Sequence, residues 1–139
     1  MDDVLLNKAA IIERCLRRIE SLYRGHEDEL ATNFDRQDAI VLNLQRACEA
    51  AIDGALHQIR KGHLGLPQSR RDAFALLVQA GLLDPALGQV MQRMVGFRNV
   101  VVHAYQELNP AILRAVLERH LDDLRRFARL LIHWAQEED

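Results

Sequence analysis

An all-α fold, an antiparallel up-and-down bundle of four main helices plus a short one, is what this 139-residue chain predicts. Three observations lead there. Apolar residues recur at three- and four-residue steps through nearly the whole chain. No alternating strand pattern competes with them. The breaks between periodic stretches carry helix-start or helix-stop chemistry: Ser69, Asp84-Pro85 and Asn109-Pro110 before helices, Gly62 and Gly81 after them.

The first helix is expected from about Asp2 to Arg24. Val4, Ile11, Cys15, Ile19 and Leu22, with Leu5, Ile12, Leu16 and Tyr23 beside them, form a wide apolar face, and Glu13/Arg17 and Glu20/Arg24 add i,i+4 pairs. Gly25 to Asn33 reads as a polar connection or frayed end. A second helix runs from about Asp35 to Lys61 with Ile40, Leu44, Ala47, Cys48, Ala51, Ala55 and Ile59 inward, and stops at Gly62. Gly62 to Gln68 is the main loop. Ser69-Arg70-Arg71-Asp72 resembles a capping box and opens a short helix that stops at Gly81. Asp84-Pro85 opens the fourth. The last begins at Asn109-Pro110, carries Leu113, Leu117, His120, Leu124, Ala128, Leu131 and Ala135 in one line, and ends in the acidic tail Glu137-Glu138-Asp139.

Composition bounds what such a bundle can do. With 49% apolar and 27% charged residues, residues 1–139 suffice for one domain with a real core. The acidic start, Met1-Asp2-Asp3, passes directly into an amphipathic pattern, so no signal peptide is expected. No apolar run approaches spanning length, which argues against a membrane partner and for the cytoplasm. Cys15 and Cys48 fall on apolar faces with no second Cys or His at ligand spacing. They are expected as reduced core residues, with no metal site and no cofactor. A net charge of −2 excludes the strongly basic surface of a general nucleic-acid binder, so any RNA contact must be local. Sixteen of the eighteen basic residues are Arg, which suits bidentate phosphate contacts and equally fits a GC-rich coding bias.

The chemistry concentrates in Arg98-Asn99-Val100-Val101-Val102-His103-Ala104-Tyr105, where a fixed cation, an imidazole and a phenol interrupt an apolar segment. Spacing alone does not single it out. An Arg followed by a His with four to six residues between also occurs at Arg114/His120 and Arg126/His133. Arg114, Arg126 and His133 read as solvated side chains of the last helix, and His120 as a packed histidine. Arg98 differs because it fills a gap in the stripe Leu87, Met91, Met94, Val101, Tyr105. A guanidinium on an apolar face requires a carboxylate, a subunit interface or an anionic ligand. Glu49 and Asp53 are candidate carboxylates, although solvent-facing positions suit them better. Five residues along a helix rotate by about 140°, so Arg98 and His103 of one straight helix cannot converge on one small ligand. Either the helix bends or breaks, and three consecutive valines with the Asn109-Pro110 restart place its end near His103, or a second subunit supplies its own pair.

Arg98-Asn99-x3-His103-x-Tyr105 at the end of the fourth helix of an all-α chain resembles the HEPN superfamily, and more narrowly the HepT-like toxins. The likeness extends to Leu42-Asn43-Leu44-Gln45-Arg46-Ala47-Cys48-Glu49-Ala50, to Leu64-Gly65-Leu66-Pro67-Gln68-Ser69 with Arg71-Asp72-Ala73-Phe74, and to Gln106-Glu107-Leu108-Asn109. The resemblance implies a homodimeric HEPN-like bundle whose two motif segments share a cleft. It also implies a metal-independent ribonuclease, the toxin of a toxin–antitoxin pair, with RNA as substrate and tRNA suggested by analogy. Its expected partner is a minimal nucleotidyltransferase antitoxin of the MntA type that uses ATP to place AMP on a tyrosine. On this resemblance Arg98 and His103 are catalytic and Tyr105 is the AMPylation target.

Those residue types suit the reaction. Metal-free RNA cleavage needs a base for the ribose 2′-hydroxyl, a proton donor for the 5′-oxygen and a cation for the charged phosphorane. Histidine titrates near neutral pH and arginine stays protonated. Asn99 shares a face with His103 and is expected either to support the imidazole or substrate, or to act as a cap. Apart from the resemblance, Tyr105 reads as a residue that closes the core. The competing function is a non-catalytic helical module that binds a nucleotidyltransferase or a nucleotide.

Overall fold

Side-chain caps set where the helices begin. The computed structural model describes residues 1–137, so Glu138 and Asp139 of the acidic tail lie outside the described residues. Helix α1, Asp3–Tyr23, starts on Asp2, whose carboxylate accepts the Leu5 N–H at 3.1 Å. Helix α2, Phe34–Gly62, starts on Asn33, which accepts from Arg36 N–H. Helix α3, Arg70–Gln79, has a reciprocal start: Ser69 Oγ accepts the Asp72 N–H while Asp72 Oδ2 accepts the Gln68 N–H at 2.9 Å. Helix α4, Pro85–His103, starts on Asp84, and α5, Pro110–Arg119, on Asn109, each with proline in its first turn. Helix α6 spans Leu121–Gln136. Single turns of 3-10 helix sit at Glu27–Glu29 and Tyr105–Glu107.

The bundle is all-α as expected, but the last helix is two. His120 departs from helical geometry at φ −121° and ψ −1°, and its N–H closes α5 on Val116 O. Its Nδ1 lies 3.0 Å from Asp123 Oδ2, so this half-buried histidine tethers the start of α6 instead of packing in the core. Periodicity cannot reveal the break, because Leu113, Leu117, Leu121 and Leu124 keep helical spacing across it and all are buried. Three smaller differences follow from tertiary packing. Val4 is exposed and the inward face of α1 centres on Leu5, Ile12, Leu16 and Ile19. Leu30, within the polar connection, is a buried core residue. The left-handed residue that ends α2 is His63, at φ +53°, one position beyond the glycine.

Polar ties fix the helix directions. Asp2 at the start of α1 reaches His57 Nε2 (2.8 Å) and Lys61 Nζ (3.1 Å) at the end of α2, and its N–H donates to Ala135 O near the end of α6. Helix α1 is therefore antiparallel to both. At the opposite end, Arg125 of α6 pairs with Glu20 of α1 at 3.1 Å. Tyr23, buried, donates to Glu118 Oε2 of α5 at 2.5 Å and accepts from Arg114 Nη1, which removes Arg114 from the set of plainly solvated side chains. Helix α4 packs on α2 and α3. Phe74, Phe127 and Trp134 stack edge to face at centroid distances of 5.5 and 5.9 Å, joining α3 to α6. Cys15 and Cys48 are buried core residues, and burial pushes the Cys48 thiol up to about 12.

Among the described residues, Asp2 is the one charged residue that is buried. Burial alone would raise its carboxyl. The Leu5 N–H, His57 and Lys61 override that and hold it well below the usual carboxylate range. A carboxyl depressed in the folded state adds stability above its unfolded pKa of about 4, and that stability is lost as pH falls through that value toward the folded one. Asp2→Asn should therefore lower stability by about 1–3 kcal/mol at pH 7. Urea unfolding at descending pH should show the gap to wild type closing below about pH 4.

Candidate active site

Helix α4 carries the candidate residues on an unbroken backbone. It runs through Arg98 and the three valines to His103, and the Ala104 N–H closes its last turn on Val100 O at 2.8 Å. The bend that would let Arg98 and His103 of one chain converge is absent. The two side chains leave the helix about 140° apart.

Arg98 points inward. Its side chain is 12% exposed, with Nη2 at 3.0 Å from Glu49 Oε2 on α2 and Nη1 at 3.2 Å from Asn99 Oδ1. Glu49 is thus an ion-pair partner, contrary to the solvent-facing reading. Asp53 is not one, and pairs with Lys8 at 3.4 Å. Asn99 accepts from Arg98; its carbonyl supports the cation instead of the imidazole. His103 is exposed at the helix end, on the face that carries Asn99, and two exposed valines, Val100 and Val102, flank that face.

Tyr105 lies beyond the helix, in the 3-10 turn. It packs partly against the core, and its hydroxyl donates to Asp38 Oδ1 near the start of α2. Burial, with the Asp38 carboxylate beside it, pushes the phenol above the ordinary tyrosine range. Sequence reasoning missed Asp38. A signal existed: Asp38 and Glu49 are eleven residues apart, about three helical turns, and so leave α2 on one side. Against an antiparallel α4 they meet Tyr105 and Arg98 in that order.

Of the other Arg/His pairs, Arg126 and His133 border one surface recess. Arg126 and His133 hold Asp123 and Glu137 at the surface, and Arg114 serves the Tyr23 tie. Among the described residues no three metal-ligating side chains converge. What the site offers chemically is a guanidinium held in the wall, an accessible imidazole one and a half turns on, and a phenol bonded to a carboxylate.

A family model described as ribonuclease HepT-like matches residues 12–131. The chain belongs to this HepT-like family. It is 46% identical to the mRNA nuclease HepT of Shewanella oneidensis, over 91% of this chain and 95% of that protein. It is also 26% identical to the tRNA nuclease HepT of Aphanizomenon flos-aquae, over 77% of this chain and 73% of that one. Among solved structures, the tri-AMPylated HEPN toxin of Shewanella oneidensis in complex with its MNT antitoxin superposes with a TM-score of 0.90 at 44% identity, covering 96% of this chain and 99% of that one. A toxin–antitoxin complex with AMP-PNP gives 0.90 at 43% identity, covering 95% and 99%. The HepT-like fold therefore accounts for nearly all of the bundle.

Removing Glu49 leaves a largely covered guanidinium without its carboxylate. Glu49→Ala should destabilise the protein by about 1–3 kcal/mol in denaturant unfolding. Most of that cost should vanish in an Arg98→Met background, where no cation remains to be neutralised.

Proposed function

We propose that this HepT-like protein is a metal-independent endoribonuclease, the toxin of a toxin–antitoxin pair, with Arg98 and His103 as its catalytic residues. The observation that carries the reading is the division of labour on α4. Arg98 is anchored inward by Glu49 while His103 stands exposed five residues later, within a chain whose family model is a ribonuclease. An exposed imidazole can take the proton of a ribose 2′-hydroxyl or return one to the 5′-oxygen. Arg98, with further N–H groups beyond those used by Glu49 and Asn99, offers forked donors to the charged phosphorane. Asn99 keeps that fork in place.

Because the helix is straight, one copy presents Arg98 and His103 to different directions. Two copies facing across α4 assemble both arginines and both histidines in one cleft, and a homodimer is part of the proposal. An apolar groove of about 630 Å³ beside the motif, lined by Phe97, Val100, Ala104, Leu108 and Ile112, gives that face the apolar area an interface needs. RNA is the substrate, in the cytoplasm, with mRNA and tRNA the classes that name the HepT relatives.

The partner is an MntA-like nucleotidyltransferase that transfers AMP from ATP to Tyr105, with pyrophosphate leaving. The relatives' structures support this, since one is an AMPylated toxin bound to its MNT antitoxin. In this chain the Tyr105–Asp38 bond adds a consequence. Esterification removes the proton that Tyr105 donates and sets a phosphate charge beside the Asp38 carboxylate. The modified side chain leaves its seat on α2. Its phosphate then stands two residues from His103, where it competes with the scissile phosphate.

The deciding experiment compares wild type with fold-checked His103→Ala and Arg98→Ala, expressed without antitoxin, by growth and by RNA gel. Arrest and shortened RNA are expected only in wild type, with purified variants losing about 10²–10⁴-fold in cleavage rate. Products should end in a 2′,3′-cyclic phosphate and form in the presence of EDTA. Equal growth and intact RNA in all three would favour the non-catalytic, nucleotidyltransferase-binding module. With a cognate nucleotidyltransferase and ATP, wild type should gain AMP in intact-mass spectra, and Tyr105→Phe should gain none.

A further inference from the structure

Two arginines open α3, and neither position serves the helix. Arg70 and Arg71 occupy its first turn, where the helix dipole disfavours cations, and both are exposed. Neither guanidinium has an ion-pair partner among the described residues, whereas Arg24, Arg98, Arg125 and Arg126 each hold a carboxylate. The two straddle α4. Arg70 shares a recess of about 270 Å³ with Glu49, Ile52, Asp53 and Arg98. Arg71 lies on the other flank, over Gly96, where a Cβ would come within 2.4 Å of its Nη2. Its backbone is fixed there by Gln92, whose amide donates to Arg71 O at 3.1 Å.

Gly96 is seven residues before His103, so both project from nearly the same side of α4, about 10 Å apart along the axis. Asn99 lies between them. The exposed Arg93, one turn before Gly96, is a second cation on this side of α4, and Arg71 is the one whose guanidinium is packed directly over Gly96, toward His103. We infer that Arg71 is an RNA-phosphate contact of this site, seated by Gly96 on the His103 face of α4 to hold a backbone phosphate beside the one being cleaved. The inference rests on the ribonuclease reading and adds a binding residue to it. It also gives the glycine a purpose. Glycine is a poor residue for a helix interior, and here the missing side chain is the space the guanidinium fills.

The test uses full-length protein carrying His103→Ala, so that RNA is bound and not cut, and a fluorescein-labelled single-stranded RNA oligonucleotide of mixed sequence. Fluorescence anisotropy is recorded across a salt series. Arg71→Gln should weaken binding about tenfold at low salt and reduce the slope of log K against log salt by about 0.7, the loss of one phosphate contact. Arg71→Lys should keep the slope. Gly96→Ala should reproduce the Arg71→Gln result with the arginine still present, because the new methyl displaces its guanidinium while alanine preserves the helix. In the His103 protein, Arg71→Gln should raise KM for cleavage with kcat within about twofold.

Unchanged affinity and slope in Arg71→Gln would overturn the inference. So would a loss of binding accompanied by altered sedimentation of the variant, which would make Arg71 a contact between copies. A wild type that cleaves no RNA, together with a His103→Ala protein that binds none, would overturn the ribonuclease reading and this inference with it; normal cleavage by wild type confines any failure to Arg71.

Discussion

The ion pair between Arg98 and Glu49 sets the rotation of α4 about its own axis. A guanidinium placed on an otherwise apolar helix face is tolerated only where a carboxylate neutralises it, and α2 provides one. Once Arg98 is turned toward α2, the helical repeat leaves no freedom for the rest of the segment. Val101 is buried, Asn99 and His103 face out, and Val100 and Val102 flank them in partial exposure. The side chain that anchors the helix is also the one that chemistry would use as a cation.

The same logic recurs along the α2–α4 seam and at both ends of the bundle. Asp38 and Glu49 leave one side of α2 and receive Tyr105 and Arg98, so two carboxylates register one helix against the other. Asp2 gathers His57 and Lys61 at one end, and Glu118 gathers Tyr23 and Arg24 at the other. Apolar packing is non-directional. These ties supply the direction and register that a core of leucines, isoleucines and alanines leaves open. Their energies differ with exposure: the buried Asp2 cluster contributes far more than the solvent-facing Arg126–Asp123 pair.

Charge at the site is a local matter in a chain of net charge −2. Arg24, Arg36, Arg98, Arg125 and Arg126 spend their charge on neighbouring carboxylates and present less of it to a polyanion. Beside α4, the arginines without an ion pair include the two that open α3, held there by a serine cap and by a glycine in the facing helix. On the proposed ribonuclease reading, a net acidic charge is no obstacle to RNA, since what matters is which cations stay unneutralised near the phosphate.

The sequence by itself determined the all-α class, the capped starts of α3 to α5, an end of α4 near His103 and the need of Arg98 for a partner, because these follow from periodicity, from the local chemistry of caps and from the cost of a guanidinium on an apolar face. It also bounded the geometry: five residues on one helix cannot meet at one ligand, and the straight α4 leaves that constraint standing. Only the tertiary structure decided what Arg98 pairs with. Glu49 and Asp53 are equivalent by spacing, and the choice depends on how α2 crosses α4 and on Lys8 of α1 taking Asp53. The break at His120 was likewise invisible, since apolar spacing continues across it without glycine or proline. The Asp38 seat of Tyr105 and the Gly96 seat of Arg71 join residues far apart in the chain. Such pairings carry no local propensity, and they exist only once antiparallel packing has brought the helices side by side.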